Sequence, residues 1–273
     1  MTYVHGYTDR ETRRLLEQSL ILEELLHSGT VYAPGSKVLE VGCGVGAQTS
    51  ILARRNPEIN LTSIDISESS VYQARRTVEE LNFRNVDIRQ GDIYNHNLGA
   101  ASFDHLFVCF LLEHLEDPPL ALDIMKSLLR EGGTLTIIEG DHGSGFWTPE
   151  SEASRLAWQG LIKSQMALGH DPNIGRRLFP LLQATGMSVK DVSPRAVYAD
   201  RSNPELLDGV VNQIIAPMVY SAEKQVLSDD LVDPVSWNQG MKDISNVASH
   251  DKGTFFYTWF KGVCQKDSSL LKM

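Results

Sequence analysis

Between Lys37 and Asp141 short strand-like runs alternate with amphipathic stretches, and this rhythm narrows the fold more than any other feature of the chain. KVLEV, NLTSID, VDIRQ, FDHLFVCF and GTLTIIEG read as strands. The stretch from about Ala47 to Arg55, then SESSVYQARRTVEELN and DPPLALDIMKSLL, read as helices between them. Consecutive parallel strands need a crossover, and an amphipathic helix supplies one while covering a sheet face. The expected class is therefore α/β, with an open, doubly wound and mostly parallel sheet. A further helix, from Thr8 to His27, precedes the first strand and ends at Gly29, Pro34 and Gly35.

The second half leaves this rhythm. Two helices are expected within 149–186, followed by a strand in MSVKDVSPRAVY; NPELLDGVVNQIIAPMVYSAEKQVL then reads as helical and interrupted at Pro217. TFFYTWFKGVC is the strongest β-former of the chain. Roughly fifty residues separate these last two strands, far more than a hairpin loop of about two to five. They are expected to neighbour each other in the sheet, with a helical insertion at about 200–250 before the last strand. No repeat or linker appears, so one domain, 1–273, is expected. It divides into an N-terminal helical cover at 1–35, a ligand-binding core at 36–141 and an acceptor-side half at 142–273.

Composition removes several function classes. With 35 acidic against 25 basic residues and a net charge of −10, the chain lacks the positive footprint that nucleic acid demands. No run of 18 apolar residues suggests membrane insertion, and the polar, mixed-charge start MTYVHGYTDRETRRLLEQS carries no secretory pattern, so a cytoplasmic protein is expected. Cys43, Cys109 and Cys264 are odd in number and unrelated in spacing, which gives neither a disulfide framework nor a zinc cluster.

The first strand runs into VLEVGCGVGAQT, with Gly42, Gly44 and Gly46 at alternate positions and Glu40 just upstream. In an open parallel sheet this turn lies at the ligand crevice, where a missing Cβ lets main chain touch a ligand. Gly42-x-Gly44-x-x-Ala47 also fits the dinucleotide pattern, so the turn alone does not choose between nucleotide cofactors. Asp65, ending the second strand in SIDIS, stands where a carboxylate accepts both ribose hydroxyls. Its alternative is the N-cap of the following helix, for which Ser67 is better placed. After the third strand, Asp92 in QGDIYN can accept from an exocyclic adenine amine while the Ile93 N–H meets a ring nitrogen; its alternative is a turn-forming Asp after glycine, common in any protein.

LEVGCGVG, SIDIS, GDIY, FDHLFVCFLLEHLEDP and LREGGTLTIIEGD, in this order, resemble the motifs of the class I S-adenosylmethionine-dependent methyltransferases, particularly the ubiquinone/menaquinone-type and small-molecule branch. The resemblance covers residues 36–141. It implies a Rossmann-like methyltransferase fold with a seven-stranded sheet whose seventh strand is antiparallel to its neighbours, and S-adenosyl-L-methionine as cofactor. On that reading Gly42, Cys43 and Gly44 lie against the cofactor's amino-acid end and ribose, and Glu40 holds its ammonium group. Asp65 takes the ribose, Ile66 packs on the adenine, Asp92 and Ile93 read its edge, and Cys109 and Phe110 lie beneath the sulfonium.

Methyl transfer from a sulfonium depends on holding donor and acceptor in line, and a base matters only when the acceptor carries a proton. His114 and His142, each following a strand, are the candidate bases; the alternatives are a packed residue for His114 and a solvated loop residue for His142, in a loop loosened by Gly143 and Gly145. Tyr3, His5, Tyr7, Arg176 and Arg195 are candidate acceptor contacts, guanidinium groups being suited to a carboxylate. The numerous aromatics of the second half suit a flat or apolar acceptor, although core packing accounts for them equally. No carboxylate set on the strand-end loops suggests a metal. The expected function is methyl transfer to a small-molecule acceptor, on a hydroxyl or carboxylate oxygen. The rivals are an NAD(P)-dependent oxidoreductase on a Rossmann fold and a non-catalytic methyltransferase-like regulator.

Overall fold

Seven strands form one sheet in the order β3-β2-β1-β4-β5-β7-β6. They are β1 (Lys37–Val41), β2 (Asn60–Asp65), β3 (Val86–Gln90), β4 (Phe103–Cys109), β5 (Leu129–Thr148), β6 (Ser188–Asp200) and β7 (Thr254–Gln265). The computed structural model describes residues 21–267, so the expectations for Tyr3, His5 and Tyr7 and for the start of the first helix lie outside the described residues. β1 pairs in parallel with β2 and β4, β2 with β3, and β4 with β5. The chain thus winds outward one way through β2 and β3 and the other way through β4 and β5, which makes the carboxyl ends of β1 and β4 the switch point.

β7 runs against β5. Gly132 at the start of β5 donates to the Lys266 carbonyl just past the end of β7 at 2.8 Å, and Lys266 donates back to Gly133 at 2.9 Å. The mixed seven-stranded sheet that the resemblance implies is the one found, and β6 and β7 are neighbours despite the helical insertion between them.

The crossover helices are α1 (Ala47–Arg55), α2 (Glu68–Glu80) and α3 (Pro118–Leu128); α4 (Glu152–Ala167) and α5 (Leu178–Ala184) follow β5. Their starts are chemically marked. Ser67, Asp117 and Ser151 cap α2, α3 and α4 by accepting N–H groups of Ser70, Leu120 and Ser154. The insertion comprises α6 (Pro204–Asp208), α7 (Ala216–Tyr220), α8 (Glu223–Ser228) and α9 (Pro234–Asn246). Gly209–Ile215 is wound as a π-helix just ahead of Pro217, which has no N–H with which to continue an α-helical ladder.

The chain divides into two compact units. One holds Leu26–Gly140, Ile174–Pro194 and the chain from Trp259 onward. Its core is a cluster in which Leu39, Leu106, Leu122, Met125, Ile137 and Leu178 are all essentially inaccessible to water. In this unit Lys261 of β7 is buried, and its ammonium donates to the carbonyls of Leu26 and Ser28 and to Thr30 Oγ1, at 3.4, 2.8 and 2.6 Å. It thereby closes the end of the helical residues 21–27, whose last carbonyls have no partner further along the helix.

The other unit holds Asp141–Asn173 and Arg195–Thr258 along with residues 21–25. Here the structure corrects one expectation, because β5 continues to Thr148 where a mobile loop was expected from Asp141. Aromatic packing carries the strand onward: the Trp147 ring lies parallel to Phe255 at 6.1 Å and meets Trp158 at 5.4 Å. Gly145 makes this possible, since a Cβ there would stand 2.5 Å from the Trp158 ring. Gly143 and Ser144 are tied in as well, by Gly143 N–H to Asn173 Oδ1 at 2.8 Å and Thr258 N–H to Ser144 Oγ at 2.9 Å. Trp147, Trp158 and Trp237 are therefore core residues, whereas Phe146, Phe179 and Tyr198 are exposed. Among the described residues no helix is long and apolar enough to cross a membrane.

Candidate functional site

The three glycines after β1 do different work. A Cβ on Gly42 would press on the Leu111 side chain at 2.9 Å, and one on Gly46 would meet the Ala74 main chain of α2 at 3.1 Å. These two let neighbouring elements close in. All three have left-handed φ, +77°, +52° and +85°, but Gly44 is different in that a Cβ there would point into open space. The cover missing at Gly44 is thus missing on the side where a ligand has room.

Asp65 closes the turn from across β2. Its Oδ2 accepts the Gly44 N–H at 2.8 Å and its Oδ1 accepts the Ser67 N–H at 2.9 Å. Burial raises its pKa, and those two N–H groups offset part of the rise. Each carboxylate oxygen keeps acceptor capacity beyond the one bond it makes, so a vicinal diol fits this group. Beside it Ile66 is 44% exposed, an apolar surface at a strand end, and its carbonyl is held by Gln90 Nε2 at 3.1 Å. Asp92 Oδ1 accepts the Tyr94 N–H at 2.9 Å, an Asx turn that orients the segment in which Ile93 is buried.

Glu40 is 1% exposed and lies within the structure, beneath the turn. Its Oε2 accepts the Thr49 hydroxyl at 2.5 Å and the Ser63 hydroxyl at 2.6 Å. Burial pushes its pKa up to about 7 against the pull of Ser63 and Thr49, and the Asp65 charge adds to the rise. Cys43 is buried too, its thiol pushed well up by burial and then by Glu40 and Asp65.

At the end of β4 the backbone is bent hard. Phe110 adopts φ +57°, uncommon for a bulky residue and worth about 1–3 kcal/mol of strain. Glu139 of β5 holds the loop that follows: its Oε1 accepts the N–H groups of Leu111 and Leu112 at 3.0 and 2.7 Å. Burial, followed by the neighbouring Glu113, raises the Glu139 pKa well above the carboxylate range. Cys109 is likewise pushed well up, by burial and then by Glu139. His114, in the 3-10 turn Leu112–His114, is buried with Nε2 3.2 Å from Glu113 Oε1.

The structure therefore brings Glu40, Gly42, Cys43, Gly44, Asp65, Ile66, Asp92, Ile93, Cys109, Phe110 and His114 into one unit, at or beyond the carboxyl ends of β1 to β4. Arg176 belongs to the same unit and is exposed in the 3-10 turn Ile174–Arg177. His142 belongs to the other unit, as does Arg195, half-buried on β6. The loop reading of His142 is corrected: it is buried within β5, its Nδ1 2.6 Å from the Tyr257 hydroxyl and its carbonyl accepting Trp158 Nε1–H at 3.0 Å. Sequence reasoning missed Thr49, Ser63 and Glu139. Small hydroxyl residues in a helix and a strand carry no pattern, although IIEG does place an acid inside an apolar run, where a buried carboxylate always needs donors. Among the described residues no group of three or more His, Cys, Asp or Glu has metal-binding geometry.

Comparison with known proteins adds the family. A family described as a methyltransferase domain matches residues 33–179. An O-methyltransferase of Pyrenophora dematioidea is 29% identical over 185 residues, 66% of this chain and 63% of that protein. An uncharacterized 37.1 kDa protein in a Streptomyces fradiae transposon is 34% identical over 170 residues, 61% of this chain and 48% of that protein. The chain thus spans about half to under two thirds of these relatives. Among solved structures, phosphoethanolamine N-methyltransferase 2 of Haemonchus contortus in complex with S-adenosyl-L-methionine superposes with a TM-score of 0.59 at 15% identity, covering 96% of this chain and 58% of that one.

Proposed function

From the premise that this chain belongs to the class I S-adenosylmethionine-dependent methyltransferase family, we propose that it transfers a methyl group from S-adenosyl-L-methionine to a small-molecule acceptor, on a hydroxyl or carboxylate oxygen. One observation carries the donor assignment: Asp65 pins Gly44 by its N–H while keeping acceptor capacity for a diol, at the point where a glycine Cβ would face open space. Glu40, once ionised, supplies negative charge beneath the same turn, Ile66 offers an apolar face, and the Asp92–Ile93 segment reads a base edge. The same letters suit a dinucleotide, but the family match favours the methyl donor.

When bound, the donor supplies a methyl group activated by its sulfonium; what the protein contributes is alignment and exclusion of water. The Glu139 clamp on the loop after Phe110 fixes the floor of that space. A hydroxyl acceptor must give up a proton, and His114, oriented by Glu113, is our candidate to receive it; an ionised carboxylate needs no base. Arg176 and Arg195 remain candidate partners for an acidic acceptor, and His142 a second candidate base. The P. dematioidea O-methyltransferase supports oxygen as the accepting atom. We further propose that the protein acts in the cytoplasm and has no nucleic-acid partner.

The test is incubation with methyl-labelled donor and a metabolite extract, followed by identification of the labelled product. A labelled ether or ester supports the reading, whereas a labelled amine overturns the oxygen assignment. Saturable donor binding without any labelled product would favour a non-catalytic regulator.

A further inference from the structure

Glu40 and Ser63 face each other in register on adjacent parallel strands, and Thr49 lies in the first turn of α1, three residues beyond Gly46. Both hydroxyls converge on one carboxylate oxygen, Glu40 Oε2, at 2.5 and 2.6 Å, lengths typical of bonds to an ionised acceptor. Each donor stands beside a different wall of the turn. Ser63 is two residues before Asp65, which grips Gly44; Thr49 is in the helix that the turn opens. An ionised Glu40 therefore draws α1 and β2 together around Gly42–Gly46, and a neutral one holds them less tightly. All these groups are essentially inaccessible to solvent, so no water replaces the contact.

We propose that Thr49 and Ser63 are positioning residues that clamp the ionised form of Glu40 and thereby set the donor-binding shape of the glycine turn, making donor affinity depend on one buried proton. The proposal rests on the reading that the turn holds an S-adenosyl group. Sequence motifs do not reveal it, because the two hydroxyl residues fall outside the glycine pattern.

Other titratable groups border Glu40. Asp65 stands at the end of β2, Cys43 in the turn and Cys109 at the end of β4, and Tyr32 and Cys109 both feel the Glu40 charge. His27 stacks on Phe107 of β4, the residue in register with Glu40, and its Nε2 is 2.6 Å from Gln48 Oε1 beside Thr49. Lys261 acts on Cys109 as the nearby positive charge. Glu40 is distinguished from these by its two hydroxyl donors, which substitution removes one at a time.

The experiment is calorimetric titration of S-adenosylhomocysteine from pH 5.5 to 8.5 into wild type, Glu40→Gln, Thr49→Val, Ser63→Ala and Thr49→Ser, with thermal melts to verify folding. In wild type the affinity is expected to rise about tenfold with pH across an edge near neutrality. Glu40→Gln removes the edge. Thr49→Val and Ser63→Ala move it to higher pH, because a carboxylate deprived of a donor holds its proton longer, and Thr49→Ser restores it. An edge retained in Glu40→Gln assigns the proton to another group and overturns the proposal, as does an unshifted edge in both folded hydroxyl variants. Absence of binding by folded wild type at every pH would instead overturn the donor reading itself, and the proposal with it.

Discussion

Asp65 and Gly44, twenty-one positions apart, meet through a carboxylate oxygen and a main-chain N–H at 2.8 Å. The contact joins the end of β2 to the turn after β1, and it uses only part of the capacity of the carboxylate. Asp65→Ala removes the clamp and the proposed diol acceptor together. Affinity for S-adenosylhomocysteine should fall about 100-fold, roughly 2.7 kcal/mol, as measured by calorimetry. Unchanged affinity would remove Asp65 from the site.

The glycines are separable by substitution. Gly44→Ala adds a methyl in open space at a left-handed φ, so stability should fall by only about 1 kcal/mol while donor binding is lost. Gly46→Ala meets the same left-handed penalty, at φ +85°, and in addition drives a methyl against the Ala74 main chain, so it should cost about 2–4 kcal/mol in denaturant melts. Equal stability losses in the two variants would contradict this division of labour.

Glu40 gives stability a pH slope of defined sign. Its folded-state pKa of about 7 exceeds the ordinary 4.5, so the folded form holds a proton that the unfolded chain releases. The contribution is fully present below about 4.5 and is lost as pH rises through about 7, an effect of roughly 2–4 kcal/mol. Urea melts across this window should show a smaller loss in Glu40→Gln than in wild type, the loss that remains coming from Glu139 and Asp65, whose carboxyls burial also raises.

Cys43, Cys109 and Cys264 are all buried, and burial raises each thiol, that of Cys264 to about 12. Thiolate is the reactive form. The native protein at pH 8 should therefore react negligibly with a disulfide reagent, and all three thiols should appear after denaturation in guanidinium. Rapid reaction of the native protein would show that the burial at these positions is breached in solution.

Legibility in the sequence followed local chemistry. The strands up to β5 and the helices between them could be read because each buries a distinct apolar set, and Asp65 stood out because a lone acid ended an apolar strand. Ser67, not Asp65, caps α2, as the spacing suggests. The extension of β5 to Thr148 was hidden, because Gly143 and Gly145 imitate a loop in sequence. The purpose of Gly145 depends on Trp158, a ring that only tertiary packing brings alongside. The ties of Glu40 to Thr49 and Ser63 and of Glu139 to the loop after β4 were hidden for the same reason: each is a pair of polar contacts made across separate elements, which leaves no periodic trace.

Lys261 offers a built-in chemical clock. With its side chain enclosed and its amine engaged by carbonyl and hydroxyl oxygens near the end of residues 21–27, an acylating reagent reaches it only when that end lets go. The rate at which peptide mapping finds Lys261 acylated thus times the detachment of this helical end in the intact protein, without any substitution.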